Sequence, residues 1–234
     1  MKDWVYNEFE QVGVDYAREQ APVEYDEQML AFRNYAQEVK DLLQRLGIED
    51  MENRVAADMG CGTGSFAVHA AKYFQRVHAV DVSPSMLESV QTKAEQEGIA
   101  NIVLHHSGFL QFQPEEQVEM VHSKWSLHHL PDFWKQMALL NIYEILSPGG
   151  VFVLTDVVFH FARDLAPRTQ HLIDSMAKKF DPSFVAEAKI HIREEYSTFT
   201  WIMQGMLERA GFCVESVDSG DELAVQYICR KPSK

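Results

Sequence analysis

The stretch VAADMGCGTGSF, residues 55–66, carries Asp58 and then glycines at 60, 62 and 64. Glycine at alternate positions lets a backbone turn tightly and approach a ligand with no Cβ in the way. The helical pattern that follows adds the unpartnered N–H groups of a first turn. Asp81 ends the next β-rich run, VHAVD, about 20 residues further on. A carboxylate at that place accepts hydrogen bonds from both hydroxyls of a ribose and repels a 2′-phosphate. The chemistry indicated is nucleoside binding. Ser65 stands where the third glycine of a dinucleotide fingerprint would fall, so the loop argues against NAD, and Asp81 argues against NADP.

Other side chains have the right types for proton transfer or substrate contact. His128 and His129 in SLHHLPD are candidates to deprotonate or orient a substrate, the alternative being that one of them packs the helix start at Pro131-Asp132. His105, His106 and His122 follow no metal-ligand spacing, and adjacent histidines on a strand face opposite ways, so they read as structural and no metal is expected. In HIREEY, Glu194 and Glu195 read as acids at a helix N-terminus, while His191, Arg193 and Tyr196 are candidates to face a substrate. Trp125 is a candidate pocket wall; Trp134 and Trp201 read as core.

These residues need a scaffold that brings them to one edge. Apolar residues recur at helical spacing from Tyr25 to Leu46, with Gly47 as the stop. Short β-rich runs then alternate with helical stretches through VFVLTDVVF, which argues for an open parallel sheet covered on both faces. Residues 163–210 read as wholly helical. Two more strands, FCVESVDS and LAVQYICRKP, form a closing hairpin, so one strand must run antiparallel. The division expected is 1–46 as N-terminal helices, 47–160 as the ligand-binding core, 161–210 as a helical cap and 211–234 as the hairpin, within one domain.

With 234 residues and a formal charge of −14, the chain is a single α/β domain whose field opposes a phosphate polyanion. No apolar segment has the length to span a bilayer. The three cysteines, Cys61, Cys213 and Cys229, form no disulfide or metal spacing, and a reducing, cytoplasmic location is expected.

Over residues 50–160 the sequence resembles the class I S-adenosylmethionine-dependent methyltransferases. The resemblance implies a Rossmann-like, doubly wound, mostly parallel sheet of seven strands with a terminal antiparallel hairpin strand, and S-adenosylmethionine as cofactor. It assigns Asp58, Gly60, Gly62 and Gly64 to the methionine side, Asp81 to the ribose, and Val82 and Met86 to the adenine. It assigns Ser107, Gly108 and Phe109 to the adenine edge, and the segment from Ser123 to Leu130 to the border of the transferred methyl. The adenine segment departs from the family at Ser107, where an Asp is common, and the fourth strand begins with Glu119 in place of Asp. Tyr16 and Tyr25 fall in a segment similar to the N-terminal lid of small-molecule methyltransferases, with Tyr25 a candidate to touch the sulfonium. The expected acceptor is a small molecule. The alternatives are a nucleic-acid methyltransferase, which the acidic charge and the HSKW segment after the fourth strand oppose, and a sensor that binds the cofactor without using it.

Overall fold

The computed structural model describes residues 3–10, 12–14, 22, 23, 26, 33–161, 163–219 and 224–233. Tyr16, Tyr25 and the whole 220–222 turn lie outside them. Among the described residues eight strands form the sheet: β1 (Val55–Met59), β2 (Arg76–Asp81), β3 (Ile102–His106), β4 (Val118–Lys124), β5 (Leu146–Phe159), β6 (Thr198–Phe199), β7 (Cys213–Asp218) and β8 (Ala224–Arg230). Their order is β3-β2-β1-β4-β5-β8-β7, with β6 off this path and paired to β5. Only β8 runs against its neighbours, pairing antiparallel with both β5 and β7. The strand order reverses between β1 and β4, the place where open α/β sheets leave a crevice at their carboxyl ends.

The helices are α1 (Tyr35–Leu46), α2 (Ala67–Ala70), α3 (Pro84–Gln96), α4 (Asp132–Ile145), α5 (Leu165–Met176), α6 (Pro182–Glu194) and α7 (Thr200–Arg209). Val39, Leu43, Phe66, Val68, Leu87 and Val90 cover one face of the sheet. Leu139, Ile142, Met203 and Leu207 cover the other. Strand β1 is buried along its whole length, which is why it reads as an apolar run and not as an alternation.

The single helix expected from Tyr25 to Leu46 is interrupted: Pro22, Val23 and Asp26 are helical among the described residues, and a separate helix begins at Tyr35. Arg33 and Asn34 are outside any helix, and the Asn34 side chain accepts the Gln37 N–H at 3.1 Å, capping the N-terminus there. The Ser-Pro-Gly-Gly stop after α4 proves to be the first part of β5, admitted by a register shift against β4 between Val118 and Met120. The segment 163–210 is not wholly helical, because Thr198 and Phe199 pair in parallel with Val158 and Phe159. Trp201 is 66% exposed and not core, while Trp134 is half-buried and stacks on Trp4. A buried lysine secures this region: Lys135 Nζ donates to Asp132 Oδ1 at 2.8 Å and to the Tyr196 carbonyl, tying α4 to the chain entering β6.

Candidate active site

The glycine loop is built from both strands that flank it. Gly60 and Gly64 have φ of +68° and +84°, and a Cβ on Gly60 would lie 2.3 Å from Ser126 Oγ. Neither backbone nor space admits a side chain there. The Gly62 N–H donates to Asp81 Oδ2 at 2.8 Å, and the Ser83 N–H donates to Oδ1 at 2.9 Å. Burial raises the Asp81 pKa, with the nearby Asp58 charge adding to it and the backbone N–H groups of Ser83 and Gly62 opposing it. Further donors from a ligand would relieve that desolvation. Asp58 lies beneath the loop, its Oδ2 accepting the Ala67 N–H at 3.2 Å and its Oδ1 2.8 Å from His122 Nδ1. His122 stacks on Phe66 with ring centroids 4.0 Å apart. His122 sits at the foot of the loop, on the cavity wall.

A cavity of about 1100 Å³ runs from this loop to the cap helices. Asp58, Gly60, Gly62, Asp81, Val82 and Met86 line its near end, with Ser107, Gly108 and Phe109 beside them. Gly64 is off the wall, its α-carbon packed toward Val68 and Val90. Ser123 is also off the wall. It is fully buried with its Oγ 3.0 Å from Ser126 Oγ, and Ser126 takes the lining position, donating to the Met59 carbonyl at 3.2 Å. Trp125 lines the cavity with φ +53°, a conformation costly for a bulky side chain that clusters at functional sites. The Trp125 N–H donates to the Thr155 carbonyl at 2.8 Å, and the Arg33 guanidinium and Lys124 ammonium each sit 5.0 Å from its ring.

The histidine pair splits in role. His128 is buried, with Nδ1 2.5 Å from Asp156 Oδ1 and Nε2 3.1 Å from Glu195 Oε2. Burial would push its pKa down, but the two carboxylates overcome this and raise it to about 9. Both of its nitrogens face acids, a setting that favours the protonated imidazole over a general base. His129, with its ring centroid 4.5 Å from that of His128, is pushed down to about 4 by burial and by the neighbouring imidazolium, so it is neutral at neutral pH. His128, His129 and His191 all line the cavity.

Glu195 and Asp156 are the residues that sequence reasoning missed. Glu194 and Glu195 do not begin a helix; α6 ends at Glu194, and Glu195 turns inward, buried between His128 and His191. Burial works against its ionisation, yet the His128 and His191 imidazoles that face it hold its pKa well below the usual carboxylate range. The available signals were the i,i+4 spacing of His191 and Glu195 and a lone acid inside the apolar run of β5, since a buried charge requires a partner. Arg193 is exposed and pairs with Glu194, away from the cavity. Tyr196 is off the cavity wall too, and its backbone N–H donates to the His128 carbonyl at 3.0 Å.

The described N-terminal residues close two parts of the rim. The Val14 N–H donates to Glu195 Oε1 at 3.1 Å, and a Cβ on Gly13 would lie 2.3 Å from the same oxygen. Glu8 is buried beside Gly108, and its Oε2 accepts the Leu110 N–H at 2.9 Å. Burial raises Glu8 to about 7 against the pull of the Leu110 and Phe109 amides. With its folded pKa above the ordinary 4.5, its contribution to docking is complete below about 4.5 and is lost as pH rises through about 7. The difference is worth about 3 kcal/mol. Hydrogen exchange at the Leu110 amide should therefore show protection falling over that window in the native chain and staying level in Glu8→Gln. Equal protection in the two proteins at every pH would remove Glu8 as the titrating group.

A family model described as a methyltransferase domain matches residues 56–150. Among curated proteins, an uncharacterized methyltransferase of Geobacillus kaustophilus is 27% identical over 166 residues, covering 70% of this chain and 72% of the relative. A demethylmenaquinone methyltransferase of Geobacillus stearothermophilus is 24% identical over 153 residues, covering 64% of this chain and 61% of the relative. In fold, an S-adenosylmethionine-dependent methyltransferase from Clostridium acetobutylicum matches with a TM-score of 0.67 at 12% identity, over 90% of this chain and 97% of the other. A magnesium protoporphyrin IX methyltransferase from Synechocystis, solved with bound S-adenosylmethionine, matches with a TM-score of 0.59 at 15% identity, over 84% and 79%. With the glycine loop, its acid and the matched domain in agreement, residues 56–150 carry a methyltransferase domain, and the findings support a class I S-adenosylmethionine-dependent methyltransferase.

Proposed function

We propose that the protein methylates a small-molecule acceptor enclosed between the carboxyl edge of the sheet and a cap made of its N-terminal residues and the segment 163–197. The observation carrying this reading is the continuity of one cavity from the glycine loop to an apolar wall of α5 and α6, where Leu172, Met176, Phe180 and Phe184 face the space. Such a volume is at the upper end for small-molecule pockets. The curated relative named for demethylmenaquinone and the fold neighbour named for magnesium protoporphyrin IX lend support to an acceptor with an extended apolar body.

The residues fit the cofactor. Gly60 leaves a cradle that a Cβ would fill, and Asp81 presents a buried carboxylate at the cavity wall. In this reading Asp58 and the loop from Gly60 to Gly64 hold the methionine end, Asp81 the ribose, and Val82, Met86 and Phe109 the adenine. When bound, S-adenosylmethionine supplies a methyl carbon made electrophilic by its sulfonium. The protein's part is alignment and exclusion of water. Trp125 and Ser126 wall the space between loop and cap. The neutral imidazole of His129 faces the same space and orients a hydroxyl or amine on the acceptor.

The test is transfer of labelled methyl into fractionated cell extract, beside calorimetry with S-adenosylhomocysteine and NAD. Label is expected in small apolar metabolites, with S-adenosylhomocysteine binding and NAD not. Label confined to nucleic acid or protein would overturn the acceptor class, and comparable NAD affinity would overturn the cofactor site.

A further inference from the structure

Two imidazoles and a carboxylate converge on the cap side of the cavity from two parts of the chain. His128 follows β4, His191 lies in the last turn of α6, and Glu195 follows that helix. One ligand-type atom from each lies within 4.8 Å of the other two. His128 Nε2 faces Glu195 Oε2 at 3.1 Å, and His191 Nδ1 contacts the same oxygen. The two rings are near-perpendicular, at 82° with centroids 5.5 Å apart.

Each group is also held from behind. Asp156 grips His128 at Nδ1, and the Val157 N–H donates to the same Asp156 oxygen at 2.9 Å. This fixes the His128 ring with Nε2 forward, the arrangement by which carboxylates orient metal-ligating histidines. Val14 N–H occupies the other oxygen of Glu195, leaving Oε2 facing the histidines. His128 is 1% exposed, yet its Nε2 makes no well-formed hydrogen bond and is aimed into the cluster. With neutral histidines, Asp156 and Glu195 would leave two buried negative charges in contact with this cluster. A divalent cation offsets both.

We propose that His128, His191 and Glu195 bind a divalent first-row transition ion, with Zn²⁺ as its reference member, on the cap side of the cavity. Two nitrogens and one carboxylate form a donor set of the zinc-enzyme type that leaves a coordination position open, and the nitrogens disfavour Mg²⁺ and Ca²⁺. His128 and His191 both line the cavity, so that open position faces it. An oxygen or nitrogen of the acceptor fits there, a clause that rests on the proposed function. The ion's binding does not.

The experiment uses the full chain, freed of metal with a chelator and titrated with Zn²⁺ against a chromophoric competitor. Co²⁺ is a second probe, because its visible absorption reports a low coordination number. One equivalent is expected to bind. Asp156→Asn, which acts on a ligand from behind, should weaken binding by about 10–100-fold, and His191→Ala, at a half-buried side chain, by at least as much. S-adenosylhomocysteine binding by the same samples reports that each variant is folded and reads the cofactor assignment separately. Absence of stoichiometric binding would overturn the proposal. So would undiminished binding by His191→Ala, or loss on His78→Ala, which would move the ion to the His78–His105 pair joined at 2.8 Å.

Discussion

Asp81→Ala is expected to lower affinity for S-adenosylhomocysteine by at least about a hundredfold while leaving the sheet folded. Hydrogen bonds to a charged group are each worth about 1.5–3 kcal/mol, and a ribose would donate two. At the low end their loss is about 3 kcal/mol, or more than two decades in affinity. The variant loses something further, because Asp81 accepts the Gly62 N–H and so sets the glycine loop before any ligand arrives. Asp81→Asn, which keeps one acceptor, should fall between the variant and the native protein. Calorimetry with S-adenosylhomocysteine reads the effect, and circular dichroism checks the fold. Affinity within about threefold of the native protein would remove Asp81 from the nucleoside site.

The largest stability effect should come from His128→Ala, measured by thermal or urea unfolding of the metal-free chain. The substitution removes the imidazolium between two carboxylates and leaves Asp156, which is 0% exposed, without its ionic partner. Breaking a buried ion pair from one side costs about 3–5 kcal/mol. For a chain of this size that corresponds to roughly 6–20 °C in the midpoint. Asp156→Asn, which removes a charge but keeps the shape, should cost less. A midpoint for His128→Ala within about 2 °C of the native one would mean that water reaches Asp156 and the pair is not dry.

The central sheet was legible because each strand is a short run bounded by turn residues and each crossover has helical periodicity. The glycine loop was legible because backbone approach demands one residue type at fixed positions. The inward turn of Glu195 was not, since REEY before an apolar stretch has the composition of a helix start, and only the meeting of Glu195 with His128, distant in sequence, gives it the opposite sense. The interruption at Asn34 did carry a local signal, an Asn followed three places later by Gln37, but the apolar spacing on either side outweighed it. Glu8 had none. Its burial arises from contact with Leu110, about 100 residues away, and no local pattern encodes such a meeting.

The parallel pairing of Val158 and Phe159 with Thr198 and Phe199 places the two ends of the cap segment side by side, one strand spacing of about 5 Å apart. Everything between them is a closed excursion whose removal would leave a gap that a short linker could bridge. A chain arranged this way can exchange the residues of that segment without altering the register of any other strand of the sheet. On the proposed function, grafting a different excursion onto the same two ends would change the substrate, at a seam already closed by backbone hydrogen bonds.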